Sequence, residues 1–258
     1  FVDLRVFANR NFWPATLTTA VVAGVMYSSS TLLPQFLQNL LGYTAELSGW
    51  AITPRRVGAL FAMPLVGYLI SFLDGRKMIL FGLGMLALSN HMLSNLSMEI
   101  AMESFVFANI VQGFSMGFIF VPLMTLAVGT LRNEQMGNAT GLFNLVRNIG
   151  GSIGISVATT YVVRDAQRHQ NLLVSHLTPY DPVYQQHLAG LQAAFTPVSG
   201  APQAHQMAHG AIYGILLQQS NLLAFVDTYR WMAVAVVLCV PGALLMRKVI
   251  ARKGLAMH

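Results

Sequence analysis

Polar groups set into long apolar stretches are the residues of this 258-residue chain best placed to do chemistry. Asn144, Arg147, Asn148 and Gly151 fall at i, i+3, i+4 and i+7, which is one face of an α-helix. A guanidinium keeps its proton in any protein environment, so Arg147 must meet water, a carbonyl or a carboxylate. In a polar cleft it would bind an anionic group or brace a neighbouring helix. Near a helix end it would instead stretch along its own stem to water. Asn109, Gln112, Gly113, Met116 and Gly117 share a second helical face, with the two amides either bonding across helices or lining a cavity. Gly113/Gly117 and Gly150/Gly154 have the small-xxx-small spacing that lets backbones approach closely, so both pairs are expected to be packing seams. His91 could relay a proton, although a lone histidine is more often hydrogen-bonded packing. Arg55 and Arg56 follow Pro54 and are expected to snorkel outward, and Asp227 and Arg230 stand close enough in sequence to pair.

Enzyme chemistry has no comparable signal. His205 and His209 have the i, i+4 spacing of a zinc helix but lack the glutamate of His-Glu-x-x-His. That leaves weak metal binding as the most these two could do, and no metal site is assigned. There is no phosphate-binding loop, which argues against ATP-driven work by this chain, and no cofactor is expected.

The elements that must carry these groups follow from composition. Only 9% of residues are charged and 55% are hydrophobic, against roughly 25% charged in soluble domains. A water-facing surface cannot be built from so few charges, disorder is excluded by the apolar content, and a single cysteine, Cys239, excludes a disulfide scaffold. An all-α polytopic membrane protein remains. Six runs are long enough to cross hydrocarbon, at about 20 residues each: 12–37, 47–73, 78–96, 105–131, 142–163 and 223–246. They divide the chain into five spans within 1–163, a long external loop at 164–222, a last span at 223–246 and a basic tail at 247–258. No Asp or Glu lies at the centre of any span.

Charge fixes direction. With the N-terminus inside, Arg5, Arg10, Arg76, Lys77, Arg132, Arg247, Lys248, Arg252 and Lys253 share one side, which is nine of the fifteen bases against three acids, Asp3, Asp74 and Glu134. Basic residues in short loops stay cytoplasmic, so both termini of this segment are placed there. The net charge of +6 is accounted for without nucleic acid. The loop at 164–222 holds five of the seven histidines and is either a partner surface or a solvated hairpin; Arg164 to Leu177 and Met207 to Leu223 look helical within it. The chain opens Phe1-Val2-Asp3 with no initiator Met, as expected of a sequence beginning partway through a longer product.

Three stretches resemble the 14-span drug:proton antiporters of the major facilitator superfamily, the EmrB/QacA type. They are Thr31-Leu32-Leu33-Pro34-Gln35-Phe36 with Leu41-Gly42-Tyr43; Val111-Gln112-Gly113-Phe114-Ser115-Met116-Gly117 running to Pro122; and Gly137-Asn138-Ala139-Thr140-Gly141 through Asn144, Arg147 and Asn148 to Gly154. The resemblance covers essentially the whole chain and implies the last six of fourteen spans, one bundle of a major-facilitator fold in the cell inner membrane. It implies a multidrug efflux transporter working by alternating access, with the proton gradient as energy source and amphipathic or hydrophobic small molecules as substrate. An N-terminal portion of six to eight spans would complete it and carry the main proton-coupling carboxylates. A periplasmic adaptor protein and an outer-membrane channel would be partners for the long loop. By the same analogy Asn109, Gln112, Asn144, Arg147 and Asn148 would line or brace the substrate pathway. The family's gating loop, Gly-x-x-x-Asp-Arg-x-x-x-Arg, is matched at Gly67 and Arg76, but Ser71 and Phe72 stand at its Asp and Arg, with Asp74 three residues later. Two other readings stay open: a transport-incompetent fragment or half-unit that only packs or assembles, and an exporter of a siderophore or organic acid.

Overall fold

A backbone dissolved in hydrocarbon must satisfy its own N–H and C=O groups, and helices do this within one segment. The computed structural model describes residues 6–246 except 8, 96–101, 130, 132 and 176, and among them it contains helices and no strand. Asp3, Arg5, Arg132, His176 and the basic tail 247–258 lie outside the described residues, as does the side chain of Glu134.

The helices are α1 Phe12–Asn39, α2 Ala45–Leu69, α3 Gly75–Leu93, α4 Met102–Val128, α5 Asn133–Val174, α6 Pro182–Ser199, α7 Ala201–Val237 and α8 Val240–Leu245. Each of the first five expected spans overlaps one of α1 to α5 for most of its length, the second, third and fourth running past the helix ends at Leu69, Leu93 and Val128, and the sixth falls in α7 and α8. Phe12–Asn39, Phe105–Val128 and Ala201–Leu245 are long and apolar enough to cross a membrane on length and composition alone. Local signals set several starts. Thr44 caps α2 by accepting from Leu47 N–H, and Asp181 caps α6 by accepting from Val183 N–H just before Pro182. Gly42 and Gly200 adopt φ of 68° and 78° in the α1–α2 and α6–α7 connections. The last expected span is broken at Leu238 and Cys239, because Pro241 has no N–H and cannot continue the ladder of α7.

The segment at 164–222 is helical for most of its length. α5 continues through Arg164 to Val174, α6 follows, and α7 begins at Ala201, so the segment forms long helical arms with α6 packed on α7 and α7 on α5. At 1.5 Å per residue, the 42 residues of α5 span about 63 Å, roughly twice a hydrocarbon core.

Two seams hold the bundle. α2 lies on α4 with Gly58 and Ala62 facing Gly113 and Gly117, so close that a Cβ on Gly113 would sit 2.0 Å from the Arg55 carbonyl oxygen. α1 lies on α5 through Gly24, Gly150 and Gly154, where a Cβ on Gly154 would meet Gly24 Cα at 2.3 Å. The glycine pairs are thus packing seams, and such backbone approach is what drives association where lipid removes the hydrophobic contrast. α3 packs between α4 and α7, and Phe36 of α1 ties the layers together by meeting Phe225 edge-on at 5.4 Å and Phe105 at 6.1 Å. Inside the core, hydroxyls turn back on their own helices: Thr16 donates to Phe12 O, Ser28 to Gly24 O and Thr228 to Ala224 O.

These distances separate two glycines of one helical class. Gly154→Ala should destabilise the bundle by about 1–3 kcal/mol by overpacking the α1–α5 seam. Gly84→Ala, in α3 with nothing within 4 Å of its Cβ position, should be neutral or stabilising. Thermal unfolding of the two variants in detergent checks the difference.

Candidate functional site

The stripe of α2 that faces α4 runs Ser48, Ala51, Arg55, Gly58, Ala62 and Val66, and all six are buried. Arg55 therefore points into the bundle, about 15 Å along the helix from its start, with 7% of its surface exposed. This corrects the expectation that it snorkels outward; its neighbour Arg56, a helical step away, is exposed. The missed signal was the small-residue repeat around it. Ala51, Gly58 and Ala62 at helical spacing mark a packing face, and Arg55 sits in register with them.

What surrounds the guanidinium is neutral. Nε and Nη2 donate to Asn109 Oδ1 at 3.1 and 2.9 Å, Nη2 also donates to Ser29 Oγ at 3.3 Å, and Nη1 donates to Ser30 Oγ. Asn109 is held in turn, donating from Nδ2 to Phe105 O at 2.8 Å in its own helix and to Ala51 O at 3.2 Å across the seam. Ser29 donates to Gln112 Oε1 at 3.4 Å. Asn109 and Gln112 are fully buried. The network joins α1, α2 and α4 around one positive charge. Two buried donors stand at its edge: Gln112 Nε2, which completes no hydrogen bond, and the hydroxyl of Tyr229 from α7, which lies beside Arg55 and Ser29. The arrangement can accept a ligand oxygen or water on those donors while the guanidinium stays charged.

The amides and cation on α5 form a separate group. Asn144 and Arg147 are half-buried and Asn148 is exposed. Arg147 lies over the Phe120 ring of α4 at 5.8 Å, a cation–π distance, and its Nε is buried without a hydrogen bond. The five residues assigned to one pathway thus occupy two places, with Asn109 and Gln112 on the Arg55 network and Asn144, Arg147 and Asn148 on α5, where Arg147 packs against Phe120 of α4. At the gating loop, Gly67 is exposed and Asp74 caps α3 by accepting from Arg76 N–H at 3.3 Å. Arg76 is half-buried with Nε unbonded, so Asp74 serves the backbone rather than the guanidinium. Of the histidines, His91 is exposed beside a buried Asn90 that donates to Leu86 O. His205 and His209 meet edge-on at 4.6 Å, and Tyr184 bonds His209 Nδ1 at 3.0 Å.

A cleft of about 490 Å³ opens between α1, α5 and α7. Val21, Ile153, Val157, Tyr161, Trp231 and Met232 line it, so its walls are apolar and partly aromatic. Aromatic and methionine side chains of this kind fit apolar ligands of varied shape.

The chain's similarities agree with this architecture. The family described as Major Facilitator Superfamily matches residues 2–155. The multidrug export protein EmrB of Escherichia coli (strain K12) is 28% identical over 243 residues, 93% of this chain and 46% of that protein. The fatty acid resistance protein FarB of Neisseria gonorrhoeae is 28% identical over 190 residues, 74% of this chain and 38% of that protein. The crystal structure of a bacterial homologue of the human lysosomal transporter Spinster, inward-facing and occupied, superposes with a TM-score of 0.60 at 17% identity, covering 92% of this chain and 49% of that one. The chain spans about half the length of the curated relatives it matches.

The Arg55 network makes a double-mutant prediction. Asn109→Leu leaves a buried guanidinium without its main acceptor and should cost about 3 kcal/mol or more. Arg55→Met with Asn109→Leu should recover a large part of that loss, because both partners then leave together. Unfolding of the single and double variants in detergent reads the coupling.

Proposed function

We propose, since the chain belongs to the Major Facilitator Superfamily, that this multi-pass membrane protein is the C-terminal half of a proton-coupled multidrug exporter moving amphipathic or hydrophobic compounds outward by alternating access. The observation that carries this reading is the apolar, aromatic-walled cleft between α1, α5 and α7 in a chain related along nearly its whole length to multidrug export proteins. A cavity with almost no fixed polar groups selects on size and apolarity, which is the requirement for many unlike cargoes. The Arg55–Asn109 network braces three helices so that the bundle moves as a unit against its other half. The N-terminal spans of the same transporter supply that half.

In this reading the charge asymmetry places both ends of the segment in the cytoplasm of the cell (inner) membrane, with the α5–α6–α7 arms outside. A periplasmic adaptor protein leading to an outer-membrane channel would engage those arms. A second reading of the cargo rests on the similarity to a fatty acid resistance protein together with the half-buried cation Arg147, whose Nε completes no hydrogen bond. An amphiphile with a carboxylate would place its tail in the cleft and its anionic head on the guanidinium.

Cells expressing the complete gene should tolerate a panel of hydrophobic drugs several-fold better than cells without it, and a protonophore should abolish the difference. Arg147→Ala should remove export while the protein stays in the membrane; unchanged resistance would reject a role for Arg147. Since Cys239 is the chain's single cysteine and is buried, cysteines introduced at residues 185 and 77 should react with impermeant maleimide from outside and only after permeabilisation, respectively. The reverse labelling would overturn the orientation.

A further inference from the structure

Beyond the expected end of the fifth span, α5 carries Asp165 and His169 on one face, and α7 presents Asp227 to them. His169 Nε2 lies 2.9 Å from Asp227 Oδ2 and 3.2 Å from Asp165 Oδ2. Asp165 is 6% exposed, and its Oδ2 completes no hydrogen bond of good geometry. Arg230 donates to the other oxygen of Asp227 at 3.1 Å. The other ionisable groups around the triad are Tyr161 and Arg168 of α5. Arg168 is exposed to solvent, as are His187 of α6 and His91 of α3, and α1 carries no acid, base or histidine.

We propose that Asp165, His169 and Asp227 form a proton-binding site whose occupancy controls the apolar cleft between α5 and α7. This rests on the exporter reading for its coupling to cargo, but not for the site itself. The geometry favours a proton: the Oδ2 atoms of Asp165 and Asp227 converge on the single Nε2 of His169, which carries at most one hydrogen, so one further proton on the cluster gives the second carboxylate a partner. A buried carboxylate oxygen without a hydrogen bond is costly, and Asp165 Oδ2 is the acceptor that this proton serves.

Helical spacing connects the site to the cleft. Tyr161 is one turn before Asp165 on α5, and Trp231 is one turn after Asp227 on α7. Both line the cleft, and their rings meet at 6.5 Å. With the proton bound, His169 bridges the two carboxylates and clamps α5 to α7 at the cleft mouth. Without it, two like charges face each other and the helices part. A compound entering between Tyr161 and Trp231 spreads the same helices and expels the proton to solvent, so cargo and proton exclude one another.

The test uses the full-length transporter purified in lightly buffered detergent, with tetraphenylphosphonium as probe and a pH dye recording proton release. Wild type should release about one proton per transporter when the probe binds, because ligand and proton that exclude one another are reciprocally linked. Asp165→Asn and His169→Gln should cut that release at least twofold while still eluting as folded, monodisperse protein, and Asp227→Glu should retain most of it. If folded Asp165→Asn and His169→Gln release as much as wild type, the site is overturned and the exporter reading stands. If wild type binds no probe, the cargo reading fails instead, and the site is decided by the nitrogen NMR signal of labelled His169, assigned by its loss in His169→Gln. A signal that titrates between about pH 5 and 8 and moves in Asp227→Asn supports the site. One that does neither removes it.

Discussion

A guanidinium cannot discard its charge, and hydrocarbon offers it nothing, so the protein has to solvate Arg55 itself. Asn109 gives one carbonyl oxygen to two guanidinium nitrogens, and Ser29 and Ser30 supply hydroxyls from a third helix. That obligation fixes how α1, α2 and α4 sit relative to one another. It also explains why the α2–α4 seam is built of glycine and alanine: only with backbones this close can Asn109 bond both Arg55 and the Ala51 carbonyl. Buried ionic groups of this kind add less to net stability than to uniqueness, because breaking one half is costly while a fully apolar replacement would not be.

The rest of the bundle follows a division of labour. One seam, α2 on α4, carries the buried charge and is tightly closed. The other, α1 on α5, closes at Gly24, Gly150 and Gly154 and then opens into the apolar cleft that α7 completes. Polar chemistry thus centres on the α2–α4 seam, with α1 contributing hydroxyls to it and a wall to the apolar cleft. The cleft wall is apolar, while the braced seam is tied by hydrogen bonds across three helices. The arms beyond the cleft are long, continuous stretches of α5 and α7 packed on one another.

Much of this architecture is legible residue by residue. The positions of the helices follow from the length of the apolar runs, and the seams at Gly113/Gly117 and Gly150/Gly154 follow from four-residue spacing of glycine. The resemblance at Gly137 to Gly154 pointed to the same superfamily that the fold and the family match show. The reach of α5 and α7 was less legible. Polar residues after Val163 mark departure from hydrocarbon, but a helix with its backbone bonds already formed has no reason to stop there, and no Pro or Gly interrupts it before Val174.

The sequence alone determined what depends on neighbours along the chain: the all-α class, the solvent in which the helices fold, the sign and position of the charges, and the faces that can pack tightly. Tertiary structure decided which polar groups meet. Arg55 finds Asn109 across 54 residues, and His169 finds Asp227 across 58. Those encounters depend on the rotation of each helix about its axis and on its depth against its neighbour. A shift of one residue turns a side chain by about 100°, from a packing face toward lipid. That is why Arg55 and Arg56, adjacent and chemically identical, have opposite fates.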